Sequence, residues 1–250
     1  MTLTIGLLLP DVLGTYGDDG NALVLRQRAR LRGIDADIHR ITLQDAIPDS
    51  CDLYCMGGGE DAAQVLAAEH LRAHGGLIRA AEKKTPILSI CAGFQVLGES
   101  FHASGGVHEG LGLIDATTAQ LRTRAIGEVE ATPSTVLTEQ IFDAQRISGT
   151  VSLRLSGFEN HMGSTVLGPD AQPLCSITRG VGNTDSGHGA GCDGAIQGTV
   201  IATYMHGPFL ARNPHIADLL LARAMGVEFT DLEPLVLDEV SQLREERLED

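Results

Sequence analysis

The sequence predicts an α/β protein with an open, mostly parallel sheet and helices on both faces. Three observations point there. The run "LTIGLLLP" (3–10) is almost continuously apolar, as in a strand buried on both faces. Strand-like and helix-period segments then alternate as far as residue 98. Finally, residues able to do chemistry recur where the apolar runs end, the edge at which parallel sheets bind ligands.

The elements follow in order. After the first strand comes the loop "DVLGTYGDDGN", then "ALVLRQRARLRGI", with apolar residues at helical spacing and a stop at Gly33. "ADIHRI" reads as a second, weaker strand. "CDLYCM" reads as a third, closing in "GGGED". One helix is expected over 60–81. "TPILSI" is a fourth strand, with Cys91 directly after it. The middle of the chain changes character. "GLGLID", "RAIGEVEA", "TVSLRLSGFEN" and "PLCSITRG" read as short strands between turns. "GVGNTDSGHGAGCDGAIQG" is a glycine-rich loop expected to move. "TVIATYM" is a late strand ending in His206, and "NPHIADLLLARAMG" is a helix with Pro214 in its first turn. A charged helical tail ends the chain. No repeat or linker divides it, so 1–250 reads as one domain, with its core at about 3–226.

The bulk properties narrow the function. A formal charge of −15 repels phosphates and argues against unaided DNA or RNA binding, while leaving zwitterionic substrates open. Five cysteines in a chain of this size do not make a disulfide framework, and their use suits a reducing cytoplasm. Cys51 and Cys55 have no second close pair or histidine cluster, and His188 with Cys192 is no better a set, so no metal is expected. The N-terminus lacks a basic leader, and no apolar run approaches the ~20 residues that span a bilayer.

Cys91 is the residue to explain. It sits between a buried strand and a helix, followed by Ala92 and Gly93, as a tight strand-to-helix turn requires. At a helix N-terminus, the dipole and free N–H groups favour negative charge on sulfur. The competing reading is a buried structural cysteine. Two features favour a nucleophile. "YCMGGGED" (54–61) leaves backbone N–H groups uncovered at another strand end, as an oxyanion hole needs, and His206 ends a strand on the same sheet edge.

Together, "SICAGFQVLGESF", "MGGGED" and "YMHGPFLARNP" resemble the class I glutamine amidotransferases, a flavodoxin-like family, in the branch related to cobyric acid synthase. "TYGDDGN", "GFENHMGST" and "RGVGN" narrow the resemblance to the small amidotransferase subunits that serve a Mur-ligase-like, MurT-type partner. It runs from Thr15 to about Gly226. It implies that Cys91 attacks the side-chain amide of L-glutamine, with His206 as acid and base. Backbone N–H groups at Gly58 and Ala92 would hold the oxyanion. Arg124, Gln95 and Gly58 would bind substrate, with the Arg124 fork on the α-carboxylate. Ammonia would pass to the partner in a heterodimer, which would amidate the D-glutamate of the lipid II stem peptide. The chain has no G-x-x-x-x-G-K-[ST] loop, so ATP and Mg²⁺ are expected on the partner and no cofactor here.

One departure stands out. The family's glutamate two residues after the histidine is Pro208 here. The acid orienting His206 is expected from the partner, in which case the isolated chain is a poor glutaminase. Asp18, Asp19, and Glu159 or His161 are the alternatives within the chain. Three rival readings remain: an amidotransferase subunit for a corrinoid or other acceptor, a non-catalytic binding subunit with a decayed site, and another cysteine hydrolase on a flavodoxin-like sheet.

Overall fold

The computed structural model describes residues 2–142 and 153–248. In chain order the elements are β1 (Leu3–Leu8), α1 (Gly20–Leu31), β2 (Ala36–Ile41), β3 (Leu53–Met56), α2 (Asp61–His74), α3 (Gly76–Glu82), β4 (Ile87–Ile90) and α4 (Ala92–Leu97). There follow β5 (Ser100–Ala103), β6 (Gly106–Glu109), β7 (Ala116–Pro133), α5 (Thr135–Phe142), β8 (Leu155–Leu167), β9 (Cys175–Arg179), β10 (Cys192–Asp193) and β11 (Ala195–Gln197). The rest are β12 (Val200–Thr203), α6 (Phe209–Arg212), α7 (Pro214–Met225) and α8 (Asp238–Leu248).

One sheet has the order β11-β12-β4-β3-β1-β2. All its pairings are parallel except that of β11 with β12 at the edge. β3, β4 and β12 are buried at every position, so these short segments carry no alternation and read as plain apolar runs. From β1 the chain crosses to β2 on one side and later, through α2 and α3, from β3 to β4 on the other. Right-handed crossovers in opposite directions put the helices on opposite faces. Consistent with this, α1 packs with α6 and α7, while α2 packs with α3 and α4.

The middle of the chain does not join this sheet. It builds a second one, β10-β9-β7-β5-β6, with β8 also on β7, and most of its pairings are antiparallel. β7 is 18 residues long, so "RAIGEVEA" is only its second half. A register shift between Gln120 and Ala125 interrupts its alternation, which is why one strand looks like two. "GLGLID" (110–115) is not a strand but a loop whose N–H groups bond back to α4 carbonyls. The strand expected at "TVSLRLSGFEN" begins at Leu155, and residues 150–152 lie outside the described residues. The helix expected over 60–81 is broken at Gly75, which takes φ +63° as a left-handed cap.

A buried ion cluster ties α1 to α7. Asp218 accepts Arg28 Nε and Nη2, each at 2.7 Å, and Arg32 Nη2 at 2.9 Å. Removing the carboxylate strands two buried guanidinium groups, so Asp218→Ala is expected to cost about 3–5 kcal/mol in urea unfolding. A loss under 1 kcal/mol would show that the cluster is solvated. Among the described residues no helix is long and apolar enough to cross a membrane.

Candidate active site

Four segments leaving the carboxyl ends of the parallel strands converge on one point. The loop after β1 carries Asp18, the turn after β3 carries Gly57–Gly59, β4 runs into Cys91, and β12 leads to His206. β1 and β3 flank the place where the strand order reverses, the usual binding crevice of such sheets.

Cys91 occupies a strained elbow, with φ +53° and ψ −109°. Such a conformation costs about 1–3 kcal/mol in a non-glycine residue and persists only where the surroundings impose it. Here they do. Cys91 N–H donates to the Thr203 carbonyl at 2.9 Å, and its own carbonyl receives Gln95 N–H at 3.1 Å. Gly93 leaves no room for a side chain, because a Cβ there would stand 2.5 Å from Ser89 Oγ and 2.8 Å from the Gly57 carbonyl.

His206 is buried, and its Nδ1 lies 2.9 and 3.0 Å from the two carboxylate oxygens of Asp18. Nδ1 donates to that carboxylate, and Nε2 is left without a protein partner. Burial lowers the imidazole pKa, but the Asp18 hydrogen bond and the nearby Cys91 sulfur outweigh it and push the value up to about 10. A Cβ at Gly58 would lie 3.0 Å from His206 Cε1, 3.2 Å from Cys91 Cβ and 3.4 Å from Asp18 Oδ2. Asp18, His206 and Cys91 therefore close tightly around this glycine.

The carboxylate at His206 in this structure is that of Asp18, from this chain. The Nδ1 position that a partner acid was expected to fill is taken by Asp18. Asp19 points elsewhere, 3.8 Å from Arg40 at the surface. Glu159 accepts the N–H groups of Val181 and Gly182 at 2.8 and 2.9 Å, and so pins the base of the glycine-rich loop. His161 stacks on Tyr204 at 3.8 Å and meets the Gly163 carbonyl through Nδ1. Gly58 also differs from expectation. Its N–H donates to Asp18 Oδ2 at 2.9 Å, so it braces the acid, and Gly59 lines the cavity beside Ala92.

The cavity, about 200 Å³, contains Cys91, His206, Gln95 and Arg124 among its walls. Gln95 accepts a hydrogen bond from Gln64 at 2.7 Å. Arg124 comes from the second sheet and donates to Asn160 Oδ1 at 2.8 Å, and Asn160 donates to the Tyr16 hydroxyl at 2.6 Å. Tyr16, at φ +60°, stands edge-on to the His206 ring at 4.9 Å. Sequence reasoning missed Tyr16, Gln64 and Asp193. The last is buried under β12, where it accepts Thr203 Oγ1 and Tyr204 N–H and fixes the chain entering His206; burial pushes its carboxyl up to about 6. The only signal for Asp193 was its place beside a glycine in a polar loop. Among the described residues no three metal-ligating side chains gather, and all five cysteines are free thiols.

A strained cysteine at a strand-to-helix elbow and a carboxylate-held histidine thus face one cavity, with an arginine among its walls. The chain belongs to the CobB/CobQ-like glutamine amidotransferase domain family, whose model matches residues 4–214, and it is a glutamine amidotransferase. It is 34% identical to the lipid II isoglutaminyl synthase (glutamine-hydrolyzing) subunit GatD of Staphylococcus aureus, over 97% of this chain and 92% of that one. The GatD of Streptococcus pneumoniae is 33% identical over 89% of this chain and 80% of that one. A solved glutamine amidotransferase from Thermotoga maritima shares the fold, with a TM-score of 0.54 at 15% identity over 99% of this chain and 94% of that one.

Proposed function

We propose that this chain is the glutaminase subunit of a cytoplasmic lipid II-amidating enzyme. The observation that carries the chemistry is the closure of Cys91, His206 and Asp18 around Gly58. The likeness to GatD along nearly the whole chain supports the acceptor. In this reading the proton that came from the thiol already rests on His206 Nε2, and Cys91 Sγ adds to the amide carbon of L-glutamine. The N–H groups of Gly59 and Ala92 hold the oxyanion. His206 then gives its proton to the leaving nitrogen, the C–N bond breaks, and ammonia departs. Water, deprotonated by His206, cleaves the glutamyl thioester to glutamate and the free thiol. Arg124 grips the α-carboxylate, and Gln95 lines the substrate's flank. The ammonia is used by a Mur-ligase-like partner of MurT type, where ATP and Mg²⁺ activate the D-glutamate carboxylate.

The test is ammonia release from glutamine by the purified chain, alone and with the co-expressed partner. Because Asp18 already holds His206, the chain alone is expected to turn over glutamine within about tenfold of the complex. D-isoglutamine in lipid II should form only with the partner and ATP. No ammonia from either preparation would overturn the glutaminase reading. Ammonia without lipid II amidation by the complex would move the acceptor to a corrinoid or another carboxylate.

A further inference from the structure

Free glutamine carries two charges on its α-carbon, and the reading above assigns only one. Arg124 meets the carboxylate, while the ammonium still needs an anion. Two acidic residues line the cavity, Glu60 and Asp61. Asp61 Oδ2 accepts Ser104 N–H at 2.9 Å. Glu60 is exposed at the rim and has no ion-pair or hydrogen-bond partner for its carboxylate among the described residues.

Its place in the helix argues against a structural use. Glu60 is the N-cap of α2, and its carbonyl receives Gln64 N–H at 2.9 Å, but its side chain makes no capping bond. Serine, threonine, aspartate or asparagine serves better at an N-cap. Gln64, in the first turn of α2, donates to Gln95 on the cavity wall. Glu60, Gln64 and Gln95 all line the cavity.

We propose that Glu60 binds the α-ammonium of glutamine and makes the site selective for a free α-amino acid. This rests on the glutaminase reading. The test compares kcat/KM for L-glutamine with that for 4-carbamoylbutanoate, the same amide without the amino group, in the complex. In Glu60→Gln the value for glutamine is expected to fall about tenfold or more through KM, while that for the des-amino amide stays level. Glu60→Ser should show the same loss of selectivity while melting no lower than the parent, since serine is the better cap. A selectivity ratio within twofold of the parent in both variants would overturn the assignment. So would a ratio that collapses in Asp61→Asn instead. Absence of glutamine turnover by the parent protein would overturn the glutaminase reading and this inference together; parental turnover with an unmoved ratio overturns Glu60 alone.

Discussion

Cys91→Ala releases no ammonia from glutamine above the uncatalysed background, alone or in the complex. No other thiol can substitute. Cys55 and Cys175 are fully buried, and burial pushes the Cys55 thiol up to about 12 and that of Cys175 well above its ordinary value. Cys51 is also raised by burial, in the layer beneath β1. Cys91 alone among the cysteines lines the cavity. A glutamine-shaped chloromethyl ketone should therefore label the parent once per chain, on the peptide containing Cys91, and leave the alanine variant unmodified by mass spectrometry. The variant should also melt no lower than the parent, because alanine removes only a sulfur at a strained position. Label in the variant, or persistent turnover, would remove Cys91 from the chemistry.

Asp18→Asn is expected to lower kcat by about 10²–10⁴ with little change in KM. The amide keeps the shape but loses the charge that holds hydrogen on Nδ1, so His206 is no longer fixed in the tautomer that presents Nε2 to the sulfur. A pH signature accompanies the loss. His206 has a folded pKa raised from 6.5 to about 10, so protonated imidazole stabilises the fold fully below pH 6.5. That contribution fades as pH climbs toward 10. Urea midpoints across this window should fall less steeply in Asp18→Asn than in the parent. Unchanged kcat would mean that another acid orients the histidine, and a partner carboxylate would return as the leading choice.

The sequence made Cys91 and His206 legible because each ends an apolar run, and strand ends on one edge of a parallel sheet must face one another. Asp18 was only one acid among several, since its pairing with His206 spans 188 residues and depends on how the loop after β1 folds over Gly58. Which glycine of "GGG" gives its N–H to the acid and which lines the cavity is decided by the local backbone path, which composition does not encode. Arg124 was found through resemblance. Its own strand was half hidden, because the bulge in β7 breaks the alternation that reveals a strand. The second sheet was harder to read as a sheet for another reason: burial alternates cleanly in β8, but its inward positions Glu159, His161, Gly163 and Thr165 give no apolar signal.

The close packing of Gly20 on Pro208, where a Cβ would meet the ring carbon at 2.4 Å, bears on synthesis at the ribosome. The acid emerges early and the base late, and β12 is the strand that both covers β4 and delivers His206. Until it arrives, the nucleophile's own strand is an uncovered sheet border, apolar but for Ser89, and a sticky surface for a nascent chain. The insertion that hides this border also brings the histidine to the cysteine. A half-made chain therefore has a thiol but no base, and cannot begin wasting glutamine before it has folded.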